Sequence, residues 1–316
     1  MSNSLSKISI VVPCYNEEEA LHYSAHSLLE ILGEFISEKI VSEDSFIVFV
    51  DDGSKDRTWS VIEILSESNS LIKGLKLSRN RGHQNALLAG LNWAHQFSDA
   101  CISIDADLQD DISVMRDFLK KFQEGNDVVY GVRNDREVDS AFKKITARGF
   151  YKLMLCLGVE IIDNHADYRL MSKRAIENLF KFNEVNLFLR GIVPLIGYKS
   201  EKVYYRRLER VAGVSKYPLF KMLSFALNGI TSFSVKPLRI ATFLGLIISF
   251  SSFATLIFIV ISKYLGNVVP GWTSIVLPLF FLGGVQILFL GIIGEYVGKM
   301  YLEVKGRPRF IIDKIV

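Results

Sequence analysis

Short apolar runs recur along the first two hundred residues, and each ends in a polar turn followed by a segment of helical periodicity. β-Branched and aromatic runs at 8–13, 46–50, 72–77, 100–104 and 127–132 predict buried strands, with a further strand at 200–206. Helices are expected between them, from Asn16 as N-cap to about 36, then over 58–67, 85–97, 112–123 and 173–182. Strands that alternate with helices make a largely parallel sheet covered on both faces, so the fold class is α/β. Ligands of such sheets sit beyond the carboxyl ends of the strands, where the unusual polar turns of this chain fall.

The pattern changes from residue 218. A stretch at 219–233 alternates apolar and small residues around Lys221, as an interfacial helix would. Two runs without a charge follow, 240–262 and 272–294, each long enough to cross a bilayer at 1.5 Å rise per residue. Lys221, Lys236 and Arg239 precede the first; Lys299, Lys305, Arg307, Arg309 and Lys314 follow the second; the connecting 263–270 holds one lysine. That asymmetry places both ends in the cytoplasm. The expected organisation is a cytoplasmic domain over 1–217, an interfacial helix over 218–237, a two-helix transmembrane hairpin within 238–297 and a cytoplasmic tail over 298–316.

Composition adds limits. The 316 residues carry a net charge of only +3, which gives no support to nucleic-acid binding. Mean hydropathy is +0.25, with the excess in the two long runs. Cys14, Cys101 and Cys156 are odd in number and lie in or beside apolar runs, as buried thiols of a reducing compartment do. The polar residues 1–7, a six-residue strand and then Asn16-Glu17-Glu18-Glu19 do not make a signal peptide. A basic-to-apolar segment at 139–157 suits a helix packed on the domain and equally one lying on anionic lipid.

The candidate chemistry centres on Asp105-Ala106-Asp107. Two carboxylates spaced i, i+2 in a turn at a strand end can reach one point, and hard oxygen ligands there suit Mg²⁺ or Mn²⁺ holding a diphosphate. Alone, the same residues also describe a surface turn before the next helix. No G-x-G-x-x-G or P-loop pattern is present.

Taken together, Val12-Pro13-Cys14-Tyr15-Asn16-Glu17, Asp51-Asp52-Gly53-Ser54 and Asp105-Ala106-Asp107 resemble the family-2 inverting glycosyltransferases, which have an A-type, Rossmann-like nucleotide-sugar fold. Asn80-Arg81-Gly82-His83-Gln84, Ala166-Asp167-Tyr168-Arg169-Leu170-Met171, the Arg207-x-x-Arg210-x-x-Gly213-x-Ser215-Lys216-Tyr217 run and the two spans are similar to polyisoprenyl-phosphate glycosyltransferases. Within these, the likeness is to bactoprenol glucosyltransferases and dolichol-phosphate sugar synthases, and it covers nearly the whole chain. Arg81 departs from the aromatic residue of many relatives.

The resemblance implies transfer of a hexose from a nucleotide sugar to polyprenyl phosphate at the cytoplasmic membrane, for cell-envelope glycan modification. UDP-glucose is the expected donor, with GDP-mannose or an N-acetylhexosamine donor as alternatives. It implies a nucleotide-sugar pocket of Pro13, Tyr15, Asn16, Glu17, Asp51, Asp52, Asp105 and His83. Asp107 and Asp105 would hold Mg²⁺ or Mn²⁺, and Asp167 occupies the position of a base or an orienting carboxylate. Arg207, Arg210, Ser215 and Lys216 would capture the lipid phosphate. The implied partners are the donor, the lipid acceptor and the bilayer, and Gly294-x-x-x-Gly298 would allow a homo-oligomer. A processive synthase would carry Gln-x-x-Arg-Trp, which is absent.

Overall fold

The computed structural model describes residues 5–134, 165–184, 189–206, 236–265 and 272–316. The chain forms two compact units. One comprises 1–151, 160–217 and 307–316, and the other 152–159 and 218–306.

The first unit is an eight-stranded sheet with helices along it. In chain order its elements are β1 (Ile8–Cys14), α1 (Leu21–Ser37), β2 (Phe46–Asp51), α2 (Thr58–Ser68), β3 (Ile72–Leu77), α3 (His83–Ala94) and β4 (Ala100–Ser103). Then follow a 3-10 turn (Ile112–Val114), α4 (Met115–Gln123), β5 (Val128–Arg133), β6 (His165–Ser172), α5 (Lys173–Leu179), α6 (Leu189–Leu195) and β7 (Ser200–Tyr205). The strand order is β7-β5-β6-β4-β1-β2-β3-β8, where β8 (Ile312–Ile315) comes from the far end of the chain. Four of the seven pairings are parallel, as the alternating pattern requires.

The central strands are apolar on both faces because both faces are covered. Every residue of β1 and of β2 is buried. On one side α1 lays down Leu21, Leu28, Leu32 and Phe35 at helical spacing. On the other, α3 approaches so closely that a Cβ on Gly90 would stand 2.4 Å from Val11 Cγ1, so only glycine fits. Cys14 and Cys101 are free, buried thiols, and burial pushes Cys101 up to about 11.

Four local features differ from the expectation. Asn16 does not cap α1: the helix starts at Leu21 behind Ala20, and Asn16 takes a left-handed φ of 54°. The helix expected over 112–123 is a 3-10 turn, capped by the Asp111 side chain, followed by α4. Residues 165–172 form a full antiparallel strand between β4 and β5. Its polar Asp167 and Arg169 interrupt the apolar alternation by which strands are read.

The fourth concerns the segment 298–316, for which no strand was expected. Its last residues return to the first unit, where β8 pairs with β3. Gly74 and Val316 exchange two backbone hydrogen bonds of 2.9 Å, Ser78 N–H donates to Ile311 O at 3.0 Å, and the Arg309 guanidinium donates to Phe182 O. These bonds cover the otherwise open edge of β3. Removing 307–316 is therefore expected to cost at least about 3 kcal/mol, from the three flanking backbone bonds at about 1 kcal/mol each, with the β3–β8 ladder itself lost as well. A lower melting temperature and faster amide exchange at Gly74 and Ser78 would show it; unchanged exchange there would contradict the pairing.

The second unit contains two long helices, α7 (Lys236–Tyr264) of 29 residues and α8 (Trp272–Val304) of 33. At 1.5 Å per residue they are about 44 and about 50 Å long. Large apolar side chains stand exposed along both, including Phe250 and Ile287. Among the described residues, Phe281–Val304 is the segment long and apolar enough to cross a membrane by length and composition. The expected interfacial helix at 219–233 and the segment at 139–157 lie outside the described residues.

Candidate active site

The loops beyond β1 and β2 are locked together. Asn16 N–H donates to Ser54 Oγ and Asn16 Oδ1 accepts from Lys55 N–H, both at 2.9 Å. Glu17 N–H donates to Thr58 Oγ1 at 2.9 Å, and Glu18 Oε2 accepts from Arg57 N–H at 2.9 Å. Asparagine tolerates the left-handed backbone this exchange demands. Pro13 is buried in β1, whereas Tyr15 is 40% exposed and presents its ring at the loop.

The two carboxylates ending β2 have different surroundings. Asp51 is fully buried; its Oδ1 accepts from Ser54 N–H at 3.0 Å, and its Oδ2 has no hydrogen-bond partner among the described residues. Asp52 accepts from Arg81 N–H at 2.7 Å and from Gly82 N–H at 2.8 Å, one on each oxygen. Burial raises its pKa even so. Asp52 thus holds the loop after β3 in place. Gly53, at φ 66°, presses against the backbone of Arg79 and Asn80 in that loop.

Held this way, the loop delivers His83 to the acidic turn. His83 Nε2 lies 3.4 Å from Asp105 Oδ1 and 3.8 Å from Asp167 Oδ2. The turn itself is braced from beneath. Ser24 Oγ donates to Ala106 O at 2.5 Å, Leu108 takes a φ of 44°, and Tyr168 Oη donates to Asp111 O at 3.0 Å. Arg133 grips the buried Asp110 with two bonds, of 2.9 and 3.1 Å. Asp105 and Asp107 remain only half-buried.

The electrostatics of these carboxylates diverge. Burial raises the Asp105 pKa, His83 opposes it, and Asp167, Asp110 and Asp107 raise it further. Asp167 goes the other way. Burial works against its ionisation, but Arg190, Arg169 and His83 outweigh that and hold it well below the usual carboxylate range. Arg169 Nη2 lies 2.5 Å from Asp167 Oδ1, and Arg190 Nη2 lies 3.4 Å from Oδ2. Ser103 Oγ fixes the Asp167 carbonyl at 2.5 Å.

No group of three or more His, Cys, Asp or Glu side chains is placed to hold a metal ion among the described residues. Asp105 and Asp107 nevertheless fit Mg²⁺ or Mn²⁺ by donor chemistry. They supply two hard carboxylate oxygens on one half-open turn. Such ions take one or two protein carboxylates and complete their shell with phosphate oxygens and water.

The structure therefore brings Tyr15, Asn16, Glu17, Asp51, Asp52, His83, Asp105, Asp107 and Asp167 to the carboxyl edge of the sheet. Arg207, Arg210, Ser215 and Lys216 lie outside the described residues. Sequence reasoning did not single out Arg190, Arg169 or the Asp110–Arg133 pair as site residues. The available signal for Arg190 was a lone cation in the apolar run Leu189-Arg190-Gly191-Ile192.

Residues 9–180 match the glycosyl transferase family 2 profile. The chain is 56% identical to the uncharacterized glycosyltransferase YkoT of Bacillus subtilis (strain 168), over 99% of this chain and 93% of that protein. It is 43% identical to the SfII prophage-derived bactoprenol glucosyl transferase of Shigella flexneri, over 98% of each. A mannosyltransferase of Pyrobaculum calidifontis, solved with GDP-Man and Mn²⁺, aligns over 95% of this chain and 86% of its own with TM-score 0.47 and 15% identity. A chain matched along nearly its whole length by glycosyltransferases belongs with them: this chain is a member of glycosyl transferase family 2.

Proposed function

We propose that this hexosyltransferase moves glucose from UDP-glucose to polyprenyl phosphate with inversion at the anomeric carbon. The observations that carry the acceptor are the 43% identity to a bactoprenol glucosyl transferase and the two guanidiniums on Asp167, Arg169 Nη2 at 2.5 Å and Arg190 Nη2 at 3.4 Å. A sugar hydroxyl acceptor needs a general base whose pKa lies near the working pH. Asp167, held well below the usual carboxylate range by Arg190 and Arg169, is poorly suited to that work. A lipid phosphate has a second pKa near 6, by analogy with phosphorylated side chains, and is largely ionised at neutral pH. It needs orientation rather than deprotonation.

In the transfer, a phosphate oxygen bonds to the anomeric carbon as the bond from that carbon to UDP breaks, and the electron pair leaves with UDP. No proton need move. Asp51 Oδ2 is the acceptor that would receive an N–H or O–H of the nucleoside, and the exposed Tyr15 ring would stack on it. Asp105 and Asp107 would hold Mg²⁺ or Mn²⁺, which when bound neutralises charge on the leaving diphosphate. Glucose as the sugar is supported by the name of the Shigella flexneri relative, a bactoprenol glucosyl transferase at 43% identity. We place the protein at the cytoplasmic membrane, with α7 and α8 as spans, on the lysine and arginine asymmetry around the two apolar runs.

The test is a donor panel. Purified full-length protein with undecaprenyl phosphate should release nucleotide fastest from UDP-glucose. Preference for GDP-mannose or a UDP-N-acetylhexosamine would overturn the sugar assignment, and equal release without lipid would overturn the acceptor.

A further inference from the structure

We propose that Arg190 binds the attacking phosphate of the acceptor and bridges it to Asp167. The inference rests on polyprenyl phosphate being the acceptor. The attacking group is an anion, and the residue that must orient it, Asp167, is itself an anion. Two such groups repel unless a cation lies between them, and the repulsion is strongest in a water-poor cleft. Asp105 and Asp107 add to the same negative field.

The described cations near Asp167 differ in what they can reach. Arg169, within β6, is 2% exposed and serves the carboxylate from inside the fold. Arg133 is held in two bonds by Asp110. His83 stands between Asp105 and Asp167, at 3.4 and 3.8 Å, and is an imidazole rather than a guanidinium fork. Arg190 alone of these arginines both meets Asp167, at 3.4 Å, and keeps a large accessible surface, 38% of its side chain. A guanidinium has five N–H donors in a planar fork, so one edge can hold a carboxylate while another takes a phosphate oxygen.

The position of Arg190 is built rather than incidental. It is the second residue of α6, whose neighbours Leu189, Ile192 and Val193 are buried. Leu189 N–H donates to Gln84 Oε1 at 3.1 Å, and Gln84 follows His83 at the start of α3. The helix that carries Arg190 is thereby pinned to the same loop that sets His83 against Asp105. Arg190 is distinct from the Arg207, Arg210 and Lys216 run. It would act on the phosphate at the reacting end, beside Asp167.

Arg190→Gln and Arg190→Lys in the full-length protein test this. The acceptor concentration dependence is measured with undecaprenyl phosphate, and UDP affinity is titrated calorimetrically. Loss of a charge-assisted bond predicts a kcat/KM for the acceptor lowered about tenfold to a hundredfold in Arg190→Gln, with UDP affinity changed less than about twofold. Arg190→Lys keeps the charge without the fork, so it should restore part of the loss and confirm that charge is what matters. Unchanged acceptor kinetics in Arg190→Gln would overturn the proposal. Equal losses of UDP affinity and acceptor use would overturn it too, assigning Arg190 to the donor diphosphate or to the fold. A wild-type protein that makes no glucosylated lipid would instead remove the polyprenyl-phosphate acceptor, and the inference with it. That failure is told apart because it appears before any substitution is made.

Discussion

Asp107→Ala is expected to reduce sugar transfer by at least about a hundredfold while the protein stays folded. Deleting one preorganised group that balances developing charge costs on that scale in other transfer sites. Asp107 is half-buried on the turn after β4, and its Oδ1 accepts from Gln109 N–H at 3.4 Å, a weak bond whose loss the turn can absorb. The turn keeps its supports, Ser24 on Ala106 O, Tyr168 on Asp111 O and Arg133 on Asp110. Chelation of divalent cations from the wild-type protein should produce a loss of the same order. Full activity in the variant, or in excess EDTA, would contradict a cation at Asp105 and Asp107.

Gly53→Ala is expected to damage both stability and donor binding. An alanine at φ 66° is strained by about 1–2 kcal/mol whatever surrounds it. Here its Cβ would also stand 2.6 Å from Arg79 C and from Asn80 N, both backbone atoms that cannot rotate away. Moving them pulls Arg81 N–H and Gly82 N–H off Asp52, leaving a buried carboxylate short of donors. The summed cost is about 3 kcal/mol or more. His83 would shift with the loop, so UDP affinity should fall along with the melting temperature. A variant with wild-type melting and wild-type UDP affinity would show that the loop is not held by this contact.

The parts of the site that sequence made legible are those whose residue types are restricted by local chemistry. The acidic pair Asp105 and Asp107 follows a strand that is itself a short apolar run; alone it also describes a surface turn, and the other motifs of the chain are what point to ligation. Asp51 and Asp52 were equally visible, but their division of labour was not. It depends on which oxygen meets the loop carrying Arg81 and Gly82, about thirty residues on. Asn16 has the side chain of a helix cap, and a local rule assigned it as one. Its partners, Ser54 and Lys55, belong to the next crossover unit and draw it into a left-handed turn instead.

β6 was hidden because a strand that carries buried charge breaks the pattern that identifies strands. Asp167 is compensated by Arg169, two residues on, and by Arg190 on the following α6. β8 was hidden for a different reason. Four residues of mixed polarity, exposed on most sides, give no periodic signal, and their pairing with β3 spans more than two hundred residues of chain. Edge strands of this kind are fixed by the ladder that they complete rather than by their own composition.

Analysis of the lipid product tests the central claim most directly. Full-length protein would be incubated with UDP-glucose, a divalent cation and undecaprenyl phosphate, and the lipid extract examined by mass spectrometry alongside the UDP released. Glucosylated undecaprenyl phosphate in amounts equal to the UDP, and no product from the neutral undecaprenol, is the expected result. UDP release with free glucose and no lipid adduct, or glucosylation of undecaprenol itself, would contradict transfer to a lipid phosphate.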